Sequence, residues 1–251
     1  MPKAASSRIA LLLESWVIGL VLLGVLVCAW AWLFRMGAAS NLAICRVEAI
    51  ASPAVVGMWI VMMVAMMTPS ALPTILAYAQ MTSRTEPSST RLGLVAAFVA
   101  VYLVVWSAFG VMAAGADWLL VRDGIVRDGQ LVSPLYAGAL LVVAGVYQWS
   151  AVKTVCLAHC HAPSGFLRRR YRGGYAGALK LGLEHSALCV GCCWALMLLA
   201  WVGGAMNLAW MVVLTLFVSI EKLLGTRAAV LRLSALVLLG AGVVEMVTAV
   251  L

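Results

Sequence analysis

Charge is what this chain has least of. Its 251 residues include nine Asp and Glu, 17 Lys and Arg, and three His, so 10% of positions are charged and 65% are hydrophobic. A soluble domain of this size carries about 25% charge. With a mean hydropathy of +1.08, that class is excluded. The apolar runs are continuous and do not alternate with polar residues, which argues against a closed β-barrel. No linker, low-complexity segment or convincing repeat divides the chain. "RTEPSSTR" (84–91) is a polar turn, and the doubled V-R-D-G of "VRDGIVRDGQ" (121–130) has too short a period for a solenoid. No nucleotide motif is present, which argues against an ATP-driven pump. The basic residues have no aromatic platform among them, so nucleic acid is not an expected partner.

What the chain does have is apolar runs of membrane length. A helix needs roughly 20 mostly apolar residues to cross the hydrocarbon core. Seven segments qualify, near 10–34, 54–80, 92–116, 133–155, 177–202, 205–224 and 228–250, with six as the alternative count. The expected fold is all-α: a polytopic transmembrane helix bundle forming one integral membrane domain over 1–251, with the lipid bilayer as its surroundings. The N-terminal apolar run is about 25 residues, longer than the usual signal-peptide core, and reads as a retained first helix. Nine cations (Lys3, Arg8, Arg84, Arg91, Arg168, Arg169, Arg170, Arg172 and Arg227) fall on one side of a seven-span topology, and four (Arg35, Arg46, Arg122 and Arg127) on the other. The excess of positive charge marks the cytoplasmic side, so the N-terminus is expected there.

Against this background "EHSALCVGCCW" (184–194) is out of place. On a helix His185, Cys189 and Cys193 fall at i, i+4 and i+8 in one row, with Cys192 beside it. Glu184 lies to the side. If Lys180 marks the membrane edge, Cys189 lies about 13 Å deeper. A lone cysteine there would be a small buried hydrophobe. An ionisable group with three thiols is rarer at that depth and faces an interior or a cavity. "YQWSAVKTVCLAHCHAP" (147–163) adds Lys153, Cys156 and Cys160, the two thiols sharing a face if the fourth helix continues, with His159 and His161 beside them. "MWIVMMVAMMTPSALP" (58–73) carries methionines in rows, with Met62, Met63, Met66 and Met67 as candidates. Such a row is ordinarily plastic packing. Pro69 and Pro73 break the helical ladder in the same region, and Thr68 and Ser70 are candidate partners for the freed carbonyls. Near 219–225, Glu221 could pair with Lys153 or Lys222, while snorkelling alone would account for Lys222.

Soft thiolate and thioether ligands select Cu(I). The expected metal set is Cys156, Cys160, His185, Cys189, Cys192, Cys193, Met62, Met63, Met66 and Met67, supported by Lys153, Glu184 and Glu221. Lys153 would stabilise thiolates before metal arrives. Zn²⁺ is the alternative, since it also takes Cys and His, but thioethers suit it poorly. Binding, and transport or delivery, of a soft metal is favoured over an enzymatic role. Two rivals stay open: thiol–disulfide exchange through "CVGC" and the Cys156/Cys160 pair, and a structural or assembly subunit of a membrane complex. A membrane or periplasmic protein partner is left open, as is a disulfide between Cys28 and Cys45.

The ordered blocks "MMVAMMTPSALP", "YQWSAVKTVCLAHCHAP", "GLEHSALCVGCCWALM", "GGAMNLAWM" and "EKLLG" resemble a bacterial family of predicted metal-binding integral membrane proteins, over about residues 54–225. The resemblance implies a multi-pass protein of the bacterial inner membrane. It places Lys153, Cys156, Cys160, His185, Cys189, Cys192, Cys193 and Glu221 at matching positions. Ser186 stands where the family commonly has glycine, and His159 and His161 are particular to this chain.

Overall fold

The computed structural model describes residues 2–40, 53–224 and 228–250. Its elements are α1 (Pro2–Ser40), α2 (Pro53–Thr85), α3 (Ser88–Arg122), a hairpin of β1 (Val126–Arg127) and β2 (Gln130–Leu131), α4 (Pro134–Tyr147), α5 (Ala151–His161), α6 (Pro163–Arg170), α7 (Gly174–Leu198), the short α8 (Ala200–Gly203), α9 (Leu208–Leu224) and α10 (Ala228–Thr248). The fold is all-α but for the two-residue strands, which pair antiparallel.

Among the described residues five helical segments are long and apolar enough to cross a membrane: Trp16–Arg35, Pro53–Thr85, Ser88–Arg122, Gly174–Gly203 and Ala229–Thr248. The count differs from the seven read from hydropathy at two places. The segment expected as one span over 133–155 is two helices, α4 and α5, bent by 68°. The reason is local. Ser150 leaves the helical conformation and its hydroxyl accepts from the Lys153 amide, starting a new helix where apolarity alone continues. Taken together the bent pair makes a sixth span. The helix expected over 205–224 begins only at Leu208 and is 17 residues long, short of the roughly 20 a full crossing needs. Cys28 is exposed on α1, while Cys45 lies outside the described residues, as does the disulfide expected between them.

The helices differ in how much they bury. In their most apolar stretches α2 and α7 are each 56% buried, against 17% for α1 and 28% for α10. The interior of the bundle is therefore built from α2, α3, α5, α7 and α9. Close approach of α2 and α3 depends on Gly110, where an added Cβ would lie 2.8 Å from the Ile60 Cα. Proline at 69 and 73 leaves α2 continuous. Two hydroxyls serve carbonyls around the break: Thr68 donates to Val64 (2.6 Å) and Ser70 to Met67 (2.8 Å).

The two ends of the bundle are unlike. At the basic end, the α2–α3 turn meets the link between α6 and α7: the Tyr171 hydroxyl donates to Glu86 (2.8 Å), and burial pushes that phenol's pKa up. Arg168, Arg169 and Arg170 are exposed here. At the opposite, hairpin end, the β1–β2 turn is stitched to the α8 region: the Ala205 amide donates to the Gly129 carbonyl (2.8 Å) and the Gln130 side-chain amide to the Val202 carbonyl (3.0 Å).

Candidate metal centre

The row read on helical numbering is turned inward. His185, Cys189, Cys192 and Cys193 on α7 are each no more than 2% exposed. They meet α5, which carries the buried Cys156 and Cys160, and α2, which carries Met62, Met63, Met66 and Met67, none more than 1% exposed. The Cys160 and Cys192 sulfurs are 4.0 Å apart. The Cys193 thiol is 3.6 Å from the Met67 thioether. Cys192 and Cys193 both also reach the Cys189 carbonyl, at 3.1 and 3.0 Å, which fixes their rotamers toward α5 and α2. Cys156 sits over Gly191: a Cβ there would come within 2.8 Å of its sulfur, so only glycine admits this approach of α5 to α7.

Two buried cations serve this interior: the pairing of Glu221 with Lys153 is one of the two expected, while the cation beside a thiol is Lys222 and not Lys153. Lys153, fully buried, donates to Glu221 at 2.6 Å, and Gln148 donates to the other carboxylate oxygen at 2.7 Å. It is therefore occupied by a carboxylate and is not the cation that meets a thiol. Lys222 does not snorkel. It is 5% exposed, and its ammonium donates to the Ser70 hydroxyl (2.7 Å) and to the Cys189 sulfur (3.0 Å). Adjacent residues on α9 point to opposite sides of the same cluster: one completes an ion pair, the other places a positive charge on sulfur.

The other expected residues resolve unevenly. His185 packs against Phe98 and Tyr102, with ring centroids at 5.7 and 5.9 Å, and its Nε2 has no hydrogen-bond partner although buried. Such a nitrogen costs free energy unless something pairs with it. Glu184, expected in support, lies apart from the thiols and pairs with the exposed Arg170 at 3.4 Å. His159 turns back on its own helix to the Val155 carbonyl (2.7 Å), and His161 lies 3.2 Å from the Lys222 carbonyl. The Cys189/Cys192 motif stays together in the cluster: Cys189 also meets Lys222, and Cys192 also meets Cys160.

Three contributors were not read from the sequence. Tyr102 on α3 donates to the Met67 carbonyl (2.8 Å) and lies 3.5 Å from the Cys189 sulfur. Tyr147 donates to the Gly191 carbonyl, anchoring the end of α4 on α7. Gln148 completes the Glu221 carboxylate. The signal was available in kind: a phenol or amide deep in an apolar run needs a partner.

Among the described residues no group of three or more His, Cys, Asp and Glu side chains is arranged to hold a metal ion. Two sulfurs can still bracket one. With a metal–sulfur bond of about 2.3 Å, a bracketing pair stands ~3.8 Å apart at a tetrahedral angle and ~4.6 Å apart when linear. The 4.0 Å between Cys160 and Cys192 falls in that window.

The family model described as PpoB2, copper chaperone, matches residues 56–245. The chain belongs to this copper chaperone family. The match takes in α2 through α9 and most of α10, and so every residue of the buried cluster. It makes copper the metal to weigh, in agreement with a metal-binding bacterial family. No curated protein and no solved structure matches the chain.

Proposed function

We propose that this protein is a helical protein of the bacterial inner membrane that takes up Cu(I) on Cys160 and Cys192 and passes it to a protein partner. The observation that carries the reading is the buried meeting of sulfur from three helices, with two thiol sulfurs at 4.0 Å and the Cys193 thiol 3.6 Å from the Met67 thioether. Such a site suits a soft ion content with two sulfurs. The thioethers beside the thiols suit zinc less well than a soft monovalent ion.

Charge supports the same ion. Lys153 and Glu221 balance each other. Lys222 is left facing sulfur. Metal binding releases the thiol protons, so Cu(I) on two thiolates carries one net negative charge. Lys222 neutralises it, and the buried cluster becomes neutral overall. Cys189, Cys193, Met67 and His185 surround the pair as further sulfur and imidazole donors for entry and exit. Met62, Met63 and Met66 extend the sulfur surface along α2 as a weaker-binding route. The basic end, with Arg168–Arg170, lies at the cytoplasmic face in this reading.

The test is metal analysis of the purified protein after anaerobic loading. Wild type is expected to hold copper in preference to zinc, and Cys160→Ser/Cys192→Ser to hold far less. Equal copper in the double variant would sink the assignment. The redox rival rests on the same 4.0 Å separation. It predicts a reducible Cys160–Cys192 disulfide trapped by alkylation in cells, with metal content unchanged in either variant.

A further inference from the structure

The proposed site is enclosed, so an ion must reach it, and the hairpin end contains a feature the site does not use. Asp117 on α3 is 7% exposed. Its carboxylate accepts from the Trp201 indole N–H at 2.7 Å. Among the described residues no lysine or arginine is paired with it. A buried carboxylate without a cation is costly, and either a proton or a visiting cation relieves that cost. The Trp59 indole lies beside the same carboxylate and packs on Trp201 with ring centroids 5.2 Å apart. Trp59 is fully buried, and its indole N–H lies near the same carboxylate without forming a well-aligned hydrogen bond. Trp201 turns its N–H edge to the acid, so what marks the cluster is a buried carboxylate with, among the described residues, no cation of the protein's own.

The residues beyond Trp59 along α2 make the cluster more than a stray buried acid. Met62, Met63, Met66 and Met67 succeed it at helical spacings of three and four, all essentially without exposure. The rise from Trp59 to Met67 is about 12 Å. Met67 then meets the Cys193 thiol at 3.6 Å. A carboxylate, the two indoles beside it and a column of thioethers thus lead inward from the hairpin end to the thiols.

We infer that Asp117, Trp59 and Trp201 form the mouth through which a soft monovalent cation enters or leaves the thiol site, at the end of the bundle opposite the arginine-rich turn. This rests on the proposed function, since it gives the same ion its route. The carboxylate draws the cation from water, and the methionines take it on without a change of net charge. Asp117 would act on the rate of exchange, while Cys160 and Cys192 set the amount held.

The experiment uses the full chain in oriented proteoliposomes, with Cu(I) supplied on a membrane-impermeant chelator. For Asp117→Asn, loading from the hairpin side is expected to slow at least about tenfold, the size of effect a focused charge has on association, with the final copper content of wild type. Asp117→Glu should load at close to the wild-type rate. Equal rates for Asp117→Asn and wild type would overturn the mouth. A variant that lost final copper content while loading at the wild-type rate would also overturn it, because that is the behaviour of a ligand. Should the Asn variant fail to fold, wild type alone decides: faster loading from the hairpin side than from the basic side supports the inference, and equal or slower loading refutes it. A wild type that takes up no Cu(I) from either side would sink the proposed function and the mouth together.

Discussion

Two regions of the same interior bury unusual side chains in opposite ways. Around α5, α7 and α9 the groups are polar and mutually specific: Lys153 with Glu221 and Gln148, and Lys222 with Cys189 and Ser70. Along α2 toward the hairpin end they are soft and nearly apolar: a row of methionines ending on Trp59, Trp201 and Asp117. The first arrangement fixes geometry, because each charge tolerates few alternatives once buried. The second tolerates change, because thioethers are flexible and polarisable and, among the described residues, only the Met67 sulfur, which the Cys193 thiol reaches, accepts a hydrogen bond. A place to hold an ion and a place to pass one would differ in this way.

The comparison can be broken by substitution, most sharply where charges are paired. Lys153→Met leaves Glu221 buried without its cation, and is expected to cost about 3–5 kcal/mol of stability, read as denaturant unfolding in detergent. Lys153→Met/Glu221→Leu should recover most of that loss. A single variant as stable as wild type would show that the pair does not organise the thiol region. Next in size is Gly191→Ala, which forces a methyl toward the Cys156 sulfur. A loss of about 1–3 kcal/mol is expected for such overpacking, measured in the same unfolding experiment. Smaller again is Tyr102→Phe, which removes the donor to the Met67 carbonyl and should cost about 0.5–1.5 kcal/mol. The smallest effect belongs to the soft region. Met62→Leu conserves volume and should cost less than about 1.5 kcal/mol, with copper content unchanged and slower loading. If Met62→Leu instead destabilised as much as Lys153→Met, the contrast between the two regions would be lost.

How much of this could be read beforehand depends on which physical rule applied. The α7 stripe was legible because helical spacing alone puts His185, Cys189 and Cys193 on one face, and burial follows from their chemistry at that depth. The all-α class followed from hydropathy in the same way. The break at 148–150 was not legible, since apolarity runs straight through it and only the Ser150 cap and the use made of Gln148 reveal the bend. That Lys222 and not Lys153 meets a thiol was hidden for a different reason. Glu221 had two lysines within plausible reach, and only the rotation of α9 against α5 decides which it meets. Tyr102 was missed because its partners, Met67 and Cys189, belong to helices far away in sequence. Asp117 was passed over near the end of a long apolar run, where a lone acid looks like an interfacial residue until its burial against Trp201 is seen.

The central claim is that buried cysteine sulfur, with Lys222 as counter-charge, holds copper in its monovalent state. X-ray absorption at the copper edge of the anaerobically loaded protein tests it most directly. The account predicts a Cu(I) edge with a sulfur-dominated shell of low coordination number, which collapses in Cys160→Ser/Cys192→Ser. A Cu(II) edge, or a nitrogen and oxygen shell that persists without those two thiols, would contradict it.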